Sequence, residues 1–341
     1  MTVRPPRPTA LFAMNPDSLP RLFPPRVTDR LRELVDIDAC LVADDFRQPD
    51  AARALAATEV LITSWGSPPI DRKVLDAAPR LRAIVHAAGT VRGYVTDAVW
   101  ERGLLVSSMA QANAIPVAEY TLAAILLAGK NAFVLRESFT AQRGAPDPDR
   151  ERRRDTLGNH HRRVGIIGAS RVGRRLLELL RPLDFDVYLS DPYVGPSEAT
   201  DLGAVLLSLD DLLRSSDIVT LHAPDLPQTR GMLDRRRLAL IPDGATLINT
   251  SRGPLIEAGA LTDELLSGRL SAVLDVTDPE PLPEDSPLYR LPNVFLTPHI
   301  AGSIGNELSR IGDAVVEEVE RLVGGQPLQH QVLRSDLGRV A

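Results

Sequence analysis

The chain has 341 residues, 44% hydrophobic and 25% charged, with a net charge of −6 from 45 acidic and 39 basic side chains. That length exceeds one typical domain and makes two the natural expectation, with apolar residues enough for sizeable cores. The acidic balance argues against nucleic acid as a partner. Cys40 is the only cysteine, so no internal disulfide forms and a reducing compartment fits. The N-terminal apolar run is too short for a signal peptide or a membrane span, and proline interrupts the segment. The expectation is a cytoplasmic protein with no membrane partner.

Short apolar runs at Ala10–Met14, Cys40–Ala43, Val60–Thr63, Ala83–Ala87 and Leu104–Ser107 read as strands, with helices at Arg26–Val35 and Pro69–Ala78. This βαβ rhythm implies a parallel sheet and an α/β fold. Pro116–Asn131 reads as a long helix, apolar all round, of the kind buried between layers. Arg136–Arg163 breaks the pattern: Gly144, Pro146 and Pro148 mark a loop, and the charge-rich Arg150–Arg154 suits a solvated segment or subunit contact.

A second series starts at Arg163. Strands are expected at Val164–Ile167, Asp186–Ser190, Ile218–Leu221, Thr246–Asn249, Ala272–Asp275 and Val294–Leu296. Helices are expected at Val172–Leu180, Leu209–Ser215, Leu261–Ser267 and Ile304–Leu322. The last carries Ile304, Leu308, Ile311, Val315 and Val319 on one face, which is a packing stripe.

The start of this series carries a phosphate-cradling pattern. Val164–Ile167 runs into Gly168-Ala169-Ser170-Arg171-Val172-Gly173, a strand turning into a helix. Gly168 permits the tight turn, Gly173 permits close helix–strand packing, and the first helical N–H groups can hold a pyrophosphate. Ser170 replaces the middle glycine of G-x-G-x-x-G and crowds the phosphates slightly. Asp191 ends the next strand, where its carboxylate can accept from the ribose hydroxyls and repel a 2′-phosphate, favouring NAD over NADP. A turn or cap role in Ser190-Asp191-Pro192 is the plainer alternative.

Further on, Arg252 follows Asn249-Thr250-Ser251, Glu280 lies in Asp275-Val276-Thr277-Asp278-Pro279-Glu280-Pro281, and His299 lies in Thr297-Pro298-His299-Ile300-Ala301-Gly302. An arginine can hold a carboxylate by two parallel hydrogen bonds. A histidine beside a carboxylate can give or take a proton near neutral pH. With a dinucleotide nearby, these parts suffice to interconvert a 2-hydroxy acid and a 2-oxo acid. The remaining histidines, His86, His160, His161 and His330, read as structural, and no spacing suggests a metal site.

These motifs, with Leu221-His222-Ala223-Pro224 through Thr229-Arg230-Gly231, resemble the D-isomer-specific 2-hydroxyacid dehydrogenase family from about Val60 to about Val323. The resemblance implies two Rossmann-like doubly wound parallel-sheet domains with the active site in the cleft between them. Residues 1–130 and 305–341 would form a flavodoxin-like substrate domain, and 131–304 an NAD-binding domain inserted into it. Arg252 would bind the substrate carboxylate and carbonyl oxygen, His299 would protonate that oxygen, and Glu280 would hold His299. NAD would lie on Gly168, Ser170, Arg171, Val172, Gly173, Asp191, His222, Ala223, Pro224, Thr229, Thr250, Asp275 and Gly302, with Asp275 orienting the nicotinamide amide. Gly89, Thr90 and Val91 would grip the substrate carboxylate. Arg92 stands where an acid often sits in the family; it either adds a second cation for a dianionic substrate or faces solvent. The partner expected besides the small 2-hydroxy or 2-oxo acid is a second copy of the chain, paired through the NAD-binding domain. A dinucleotide-sensing scaffold of the same fold and a phosphite-type dehydrogenase stay open as alternatives.

Overall fold

The computed structural model describes residues 7–143 and 157–338. The chain divides into two compact units, Met1–Ala114 with Ser303–Ala341, and Ile115–Gly302.

In the first unit, β1 (Thr9–Ala13), β2 (Asp36–Val42), β3 (Val60–Thr63), β4 (Ala83–His86) and β5 (Leu105–Ser108) form a parallel sheet in the order β2-β1-β3-β4-β5. Alternate residues serve opposite faces. Phe12, Ile62 and Val85 pack on one side with Val27, Leu31, Ile311, Val315 and Val319, while Leu11, Leu61 and Ile84 pack on the other with Leu55, Leu75 and Val99. The helix Leu308–Val323 therefore returns to the first sheet through its apolar stripe. Fully burying each of Ile311, Val315 and Val319 is worth roughly 1.5–3 kcal/mol, which outweighs the solvent-exposed pairs of Arg26 and Arg30 with Asp313.

In the second unit, β6 (Arg162–Ile167), β7 (Phe185–Ser190), β8 (Val205–Leu206), β9 (Ile218–Leu221), β10 (Thr246–Asn249), β11 (Ser271–Leu274) and β12 (Val294–Leu296) form a parallel sheet in the order β12-β11-β10-β9-β6-β7-β8. Their ends align: Ile167 pairs with Leu221, Leu221 with Asn249, Asn249 with Leu274 and Leu274 with Leu296. The strand order reverses between β6 and β9, the switch point at which open α/β sheets bind ligands.

The structure adds short elements that were not expected, the strand Val205–Leu206 and the helices Leu19–Leu22, Pro196–Asp201 and Arg235–Leu238 among them, and differs from the sequence expectation in three further places. The long helix runs Ala110–Gly129 and carries Pro116 inside it, where proline had suggested a first turn. It begins in the first unit and ends in the second, the units dividing at 114/115 and 302/303. The reason is that Ala118, Ala124, Ile125 and Ala128 pack with Val164, Ile166 and Leu176. By length and composition this is the one described helix apolar enough to cross a bilayer, and that packing accounts for its apolar residues. Second, the expected Arg136–Arg163 loop is helical at its start, in Ala132–Gln142; Gly144, Pro146, Pro148 and Arg150–Arg154 lie outside the described residues. Third, the helices Pro49–Ala57 and Asp97–Glu101 were not expected, because neither carries a long apolar stripe.

Gly312 faces the carbonyl of Leu22, and a Cβ there would lie 1.9 Å from that oxygen. Gly312→Ala is expected to destabilise the protein by about 1–3 kcal/mol, the usual range for overpacking. Urea denaturation checks this; an unchanged midpoint would mean the helix shifts without cost.

Candidate active site

The phosphate-loop geometry comes first. Gly168 has φ +98°, and a Cβ on it would lie 2.8 Å from the backbone of His222 and Ala223. A Cβ on Gly173 would lie 2.1 Å from the Gly168 carbonyl oxygen. Both positions thus require glycine, one for the turn and one for the helix packing. Ser170 caps the helix Arg171–Leu180, its hydroxyl accepting from the Gly173 N–H at 3.4 Å. The residue that departs from the glycine pattern therefore serves the helix start. Asp191 accepts from the Ala169 N–H at 2.7 Å and from the Tyr193 N–H at 2.8 Å. Each oxygen keeps a further acceptor site, so the carboxylate both shapes the loop and can still take ribose hydroxyls. This cradle at the switch point fits a dinucleotide.

The adjoining segment is held from within. Thr229 accepts from the Leu226 N–H at 2.9 Å and donates to the Pro224 carbonyl at 2.5 Å. His222 is buried, with Nε2 3.0 Å from the Thr220 hydroxyl, and burial pushes its pKa down to about 3. It is a neutral support and no proton carrier at physiological pH.

Arg252 stands just past β10. Buried Asn249 anchors it: Asn249 Nδ2 donates to the Arg252 carbonyl at 2.8 Å, and Asn249 Oδ1 accepts from the Ser251 N–H at 3.0 Å. Gly253 lets the segment lie against the next loop, since a Cβ there would be 2.0 Å from the Thr277 carbonyl oxygen. The Arg252 guanidinium donates to the Ser251 carbonyl at 2.6 Å and has no carboxylate partner among the described residues. Its fork remains able to take a ligand carboxylate.

His299 and Glu280 come together. His299 Nδ1 lies 2.6 Å from Glu280 Oε1, both side chains half-exposed. His299 sits at φ +55°, a left-handed conformation uncommon outside glycine and found at strained functional turns. Buried Asp275 holds the turn there: Oδ1 accepts from the Thr297 hydroxyl at 2.6 Å and the Ile300 N–H at 2.8 Å, and Oδ2 from the Ala301 N–H at 2.8 Å. With Nδ1 engaged by Glu280, Nε2 is the nitrogen left to meet a substrate. The sequence motifs gave Asp275 a cofactor role only; its part in holding His299, and that of Thr297, were missed, because hydrogen bonds between segments 22 to 26 residues apart leave no local pattern, and the anchoring role of Asn249 was missed although its partners lie only two and three residues on. Gly302 follows this turn, and Thr250, nearly buried, lies in the Arg252 segment.

In the first unit, Gly89, Thr90, Val91 and Arg92 follow β4. Val91 is buried as the anchor of this loop, the Arg92 N–H donates to the Thr90 hydroxyl at 3.2 Å, and Arg92 is exposed. His86, fully buried beneath it, has Nδ1 2.8 Å from the Thr63 hydroxyl, and burial lowers its pKa to about 4.

Comparison with known proteins adds to this geometry. Residues 122–301 match the family model described as "D-isomer specific 2-hydroxyacid dehydrogenase, NAD binding domain". The chain is 33% identical over 291 residues to the D-3-phosphoglycerate dehydrogenase of Mycobacterium tuberculosis, covering 82% of this chain and 52% of that enzyme. It is 30% identical to glyoxylate/hydroxypyruvate reductase B of Yersinia enterocolitica, covering 82% of this chain and 86% of that one. The chain spans about half the length of the curated phosphoglycerate dehydrogenases it matches. Among solved structures, the D-lactate dehydrogenase of Aquifex aeolicus, complexed with NAD and lactic acid, superposes with a TM-score of 0.69 at 26% identity, covering 93% of this chain and 96% of that one.

The two buried histidines make acid sensitivity predictable. Their folded pKa values, about 3 for His222 and about 4 for His86, lie below the unfolded value near 6.5. The unfolded chain therefore binds more protons between those limits, and stability falls as pH drops below about 6.5. Each histidine contributes up to about 1.4 kcal/mol per pH unit in that window. His222→Gln should flatten the urea-midpoint profile between pH 6.5 and 5; an unchanged slope would show that His222 is not kept neutral by burial.

Proposed function

The chain belongs to the D-isomer specific 2-hydroxyacid dehydrogenase family, and on that premise we propose that it interconverts a small D-2-hydroxy acid and its 2-oxo acid with NAD as the hydride carrier. The observation that carries this reading is the 2.6 Å pair of His299 Nδ1 and Glu280, set on the same sheet edge as a guanidinium with no carboxylate partner among the described residues.

NADH, which the Gly168–Gly173 loop and Asp191 would hold, would supply a hydride to C2 of the oxo acid. As C2 is reduced, the carbonyl π pair moves onto oxygen. Arg252 holds the carboxylate with its guanidinium fork and draws charge onto that oxygen. His299 then gives its Nε2 proton to the oxygen and is left neutral, while Glu280 keeps the ring oriented through Nδ1. Oxidation of the hydroxy acid runs the same steps in reverse. Gly89, Thr90, Val91 and Arg92 are proposed substrate contacts. The Gly168–Gly173 loop, Asp191, the His222–Pro224 backbone, Thr229, Thr250, Asp275 and Gly302 are proposed to hold NAD. A reducing compartment, the cytoplasm, suits the exposed free thiol of Cys40.

We also propose a homodimer formed through the second unit. Its helix Ala132–Gln142 buries no side chain, Phe139 is 74% exposed, and Phe133 stacks on Phe295 of the edge strand β12 at 4.4 Å. Such an apolar surface suits a second copy. Phe139→Asp should lower the mass measured by light scattering to that of one chain; an unaltered dimer would place the contact elsewhere.

The reading is tested by following NADH oxidation with glyoxylate, hydroxypyruvate, pyruvate, phenylpyruvate and phosphohydroxypyruvate. Turnover on one of these is expected, and His299→Ala should cut kcat by about 10²–10⁴-fold with NADH affinity retained, the range for a lost general acid. Arg252→Ala should raise KM and lower kcat together. NADH binding with no turnover on any acid would favour the scaffold reading.

Asp191→Ala should weaken NADH about 10–100-fold, as expected for lost charged hydrogen bonds, and narrow the preference over NADPH. An unchanged NADH/NADPH ratio would assign cofactor discrimination to another group.

A further inference from the structure

We propose that Tyr120 and Thr121, neighbours on the helix Ala110–Gly129, are positioning residues that set the His299 turn and the Arg252 turn relative to each other. The inference rests on the reading of His299 and Arg252 given above.

Two hydrogen-bonded chains carry it. The Tyr120 hydroxyl lies 2.7 Å from the Thr297 hydroxyl, which lies 2.6 Å from Asp275 Oδ1. The Asp275 carboxylate, already taking two backbone N–H groups, only accepts. Thr297 therefore spends its one proton on Asp275, and Tyr120 must donate to Thr297. The direction is Tyr120 to Thr297 to Asp275, ending on the carboxylate that holds His299 at positive φ. Burial, the largest influence on Tyr120, raises its pKa, with Asp275 adding to the rise, so the phenol keeps the proton this chain requires.

The second chain starts one residue on. Thr121 is fully buried and donates to the Val117 carbonyl at 2.7 Å. Its proton is spent, so Thr250, 2.9 Å away, must be the donor to Thr121. Thr250 lies two residues before Arg252, in the segment that Asn249 anchors. One turn of helix thus grips the backbone arm of the proton donor through Tyr120 and that of the carboxylate-binding arginine through Thr121. In a reaction where both groups must meet one small acid, a displacement of either arm is costly in rate.

Neither residue touches substrate in this account, so the test separates hydroxyl from packing. Tyr120→Phe keeps the ring and removes the donor; Thr121→Val keeps the shape and removes the acceptor; Thr121→Ser keeps the hydroxyl and loses the methyl. With the acid on which the wild type turns over, Tyr120→Phe should lower kcat about tenfold, the rate equivalent of one hydrogen bond, with KM and NADH affinity little changed. Thr121→Val should raise KM and lower kcat, following the Arg252 arm, and Thr121→Ser should restore most of the loss. The downfield proton resonance of the short His299–Glu280 hydrogen bond should broaden in Tyr120→Phe and stay sharp in Thr121→Val. Wild-type kcat and KM in both Tyr120→Phe and Thr121→Val, while His299→Ala remains inactive, would overturn the positioning role and leave the catalytic reading standing. Thr121→Val outperforming Thr121→Ser would reduce Thr121 to packing and overturn its part. Full activity in His299→Ala, or a wild type silent on every acid, would overturn the catalytic reading and this inference with it.

Discussion

Asp275 holds an ionisable side chain almost wholly out of water, which is costly unless its oxygens are satisfied. They are satisfied by three donors, all from the five residues around His299. The dependence runs both ways. The carboxylate is tolerated because the turn closes on it, and the turn keeps a histidine at positive φ because the carboxylate draws in the amides on its far side. Removing the acid would leave two backbone amides unpaired and the Thr297 hydroxyl without its acceptor, and the imidazole would lose its bearing toward Glu280.

The parallel sheet makes this turn useful. Strands β6, β9, β10, β11 and β12 end in register, so the segments after them emerge along one edge: the Gly168 turn, His222, Arg252, Asp275 and the His299 turn. Two close backbone approaches, Gly168 against His222 and Gly253 against Thr277, pack these segments tightly enough that side chains cannot intrude. Burial and charge then sort the histidines. His222, deprived of water, stays neutral and structural, while His299, half-exposed and hydrogen-bonded to a carboxylate, is equipped to carry a proton.

Much of this was legible in the amino-acid sequence. Ile218–Leu221, Thr246–Asn249 and Val294–Leu296 are short apolar runs punctuated by proline, glycine and polar residues, and they form the strands expected of them. Gly168 and Gly173 advertise their turn because no other residue fits there. Glu280 in a proline-rich loop has no local signature; only its spacing within the motif set pointed to it, and the structure sets it against His299. The helix start at Ala110 was hidden by Pro116, which reads as a first-turn proline while the helix continues through it. Tyr120 and Thr121 were illegible for a different reason. Their partners lie 177 and 129 residues away, and a hydroxyl facing another hydroxyl across the fold leaves no periodicity to read.

The most direct test of the central claim follows the hydride itself. NADH carrying deuterium at the transferable C4 position would be incubated with the 2-oxo acid that turns over, and the product examined by mass and by chiral separation. The account predicts one deuterium on C2 of a D-2-hydroxy acid, with none lost to solvent, because hydride passes directly and His299 supplies only the hydroxyl proton. An L-configured product, or deuterium washed out into water, would contradict it.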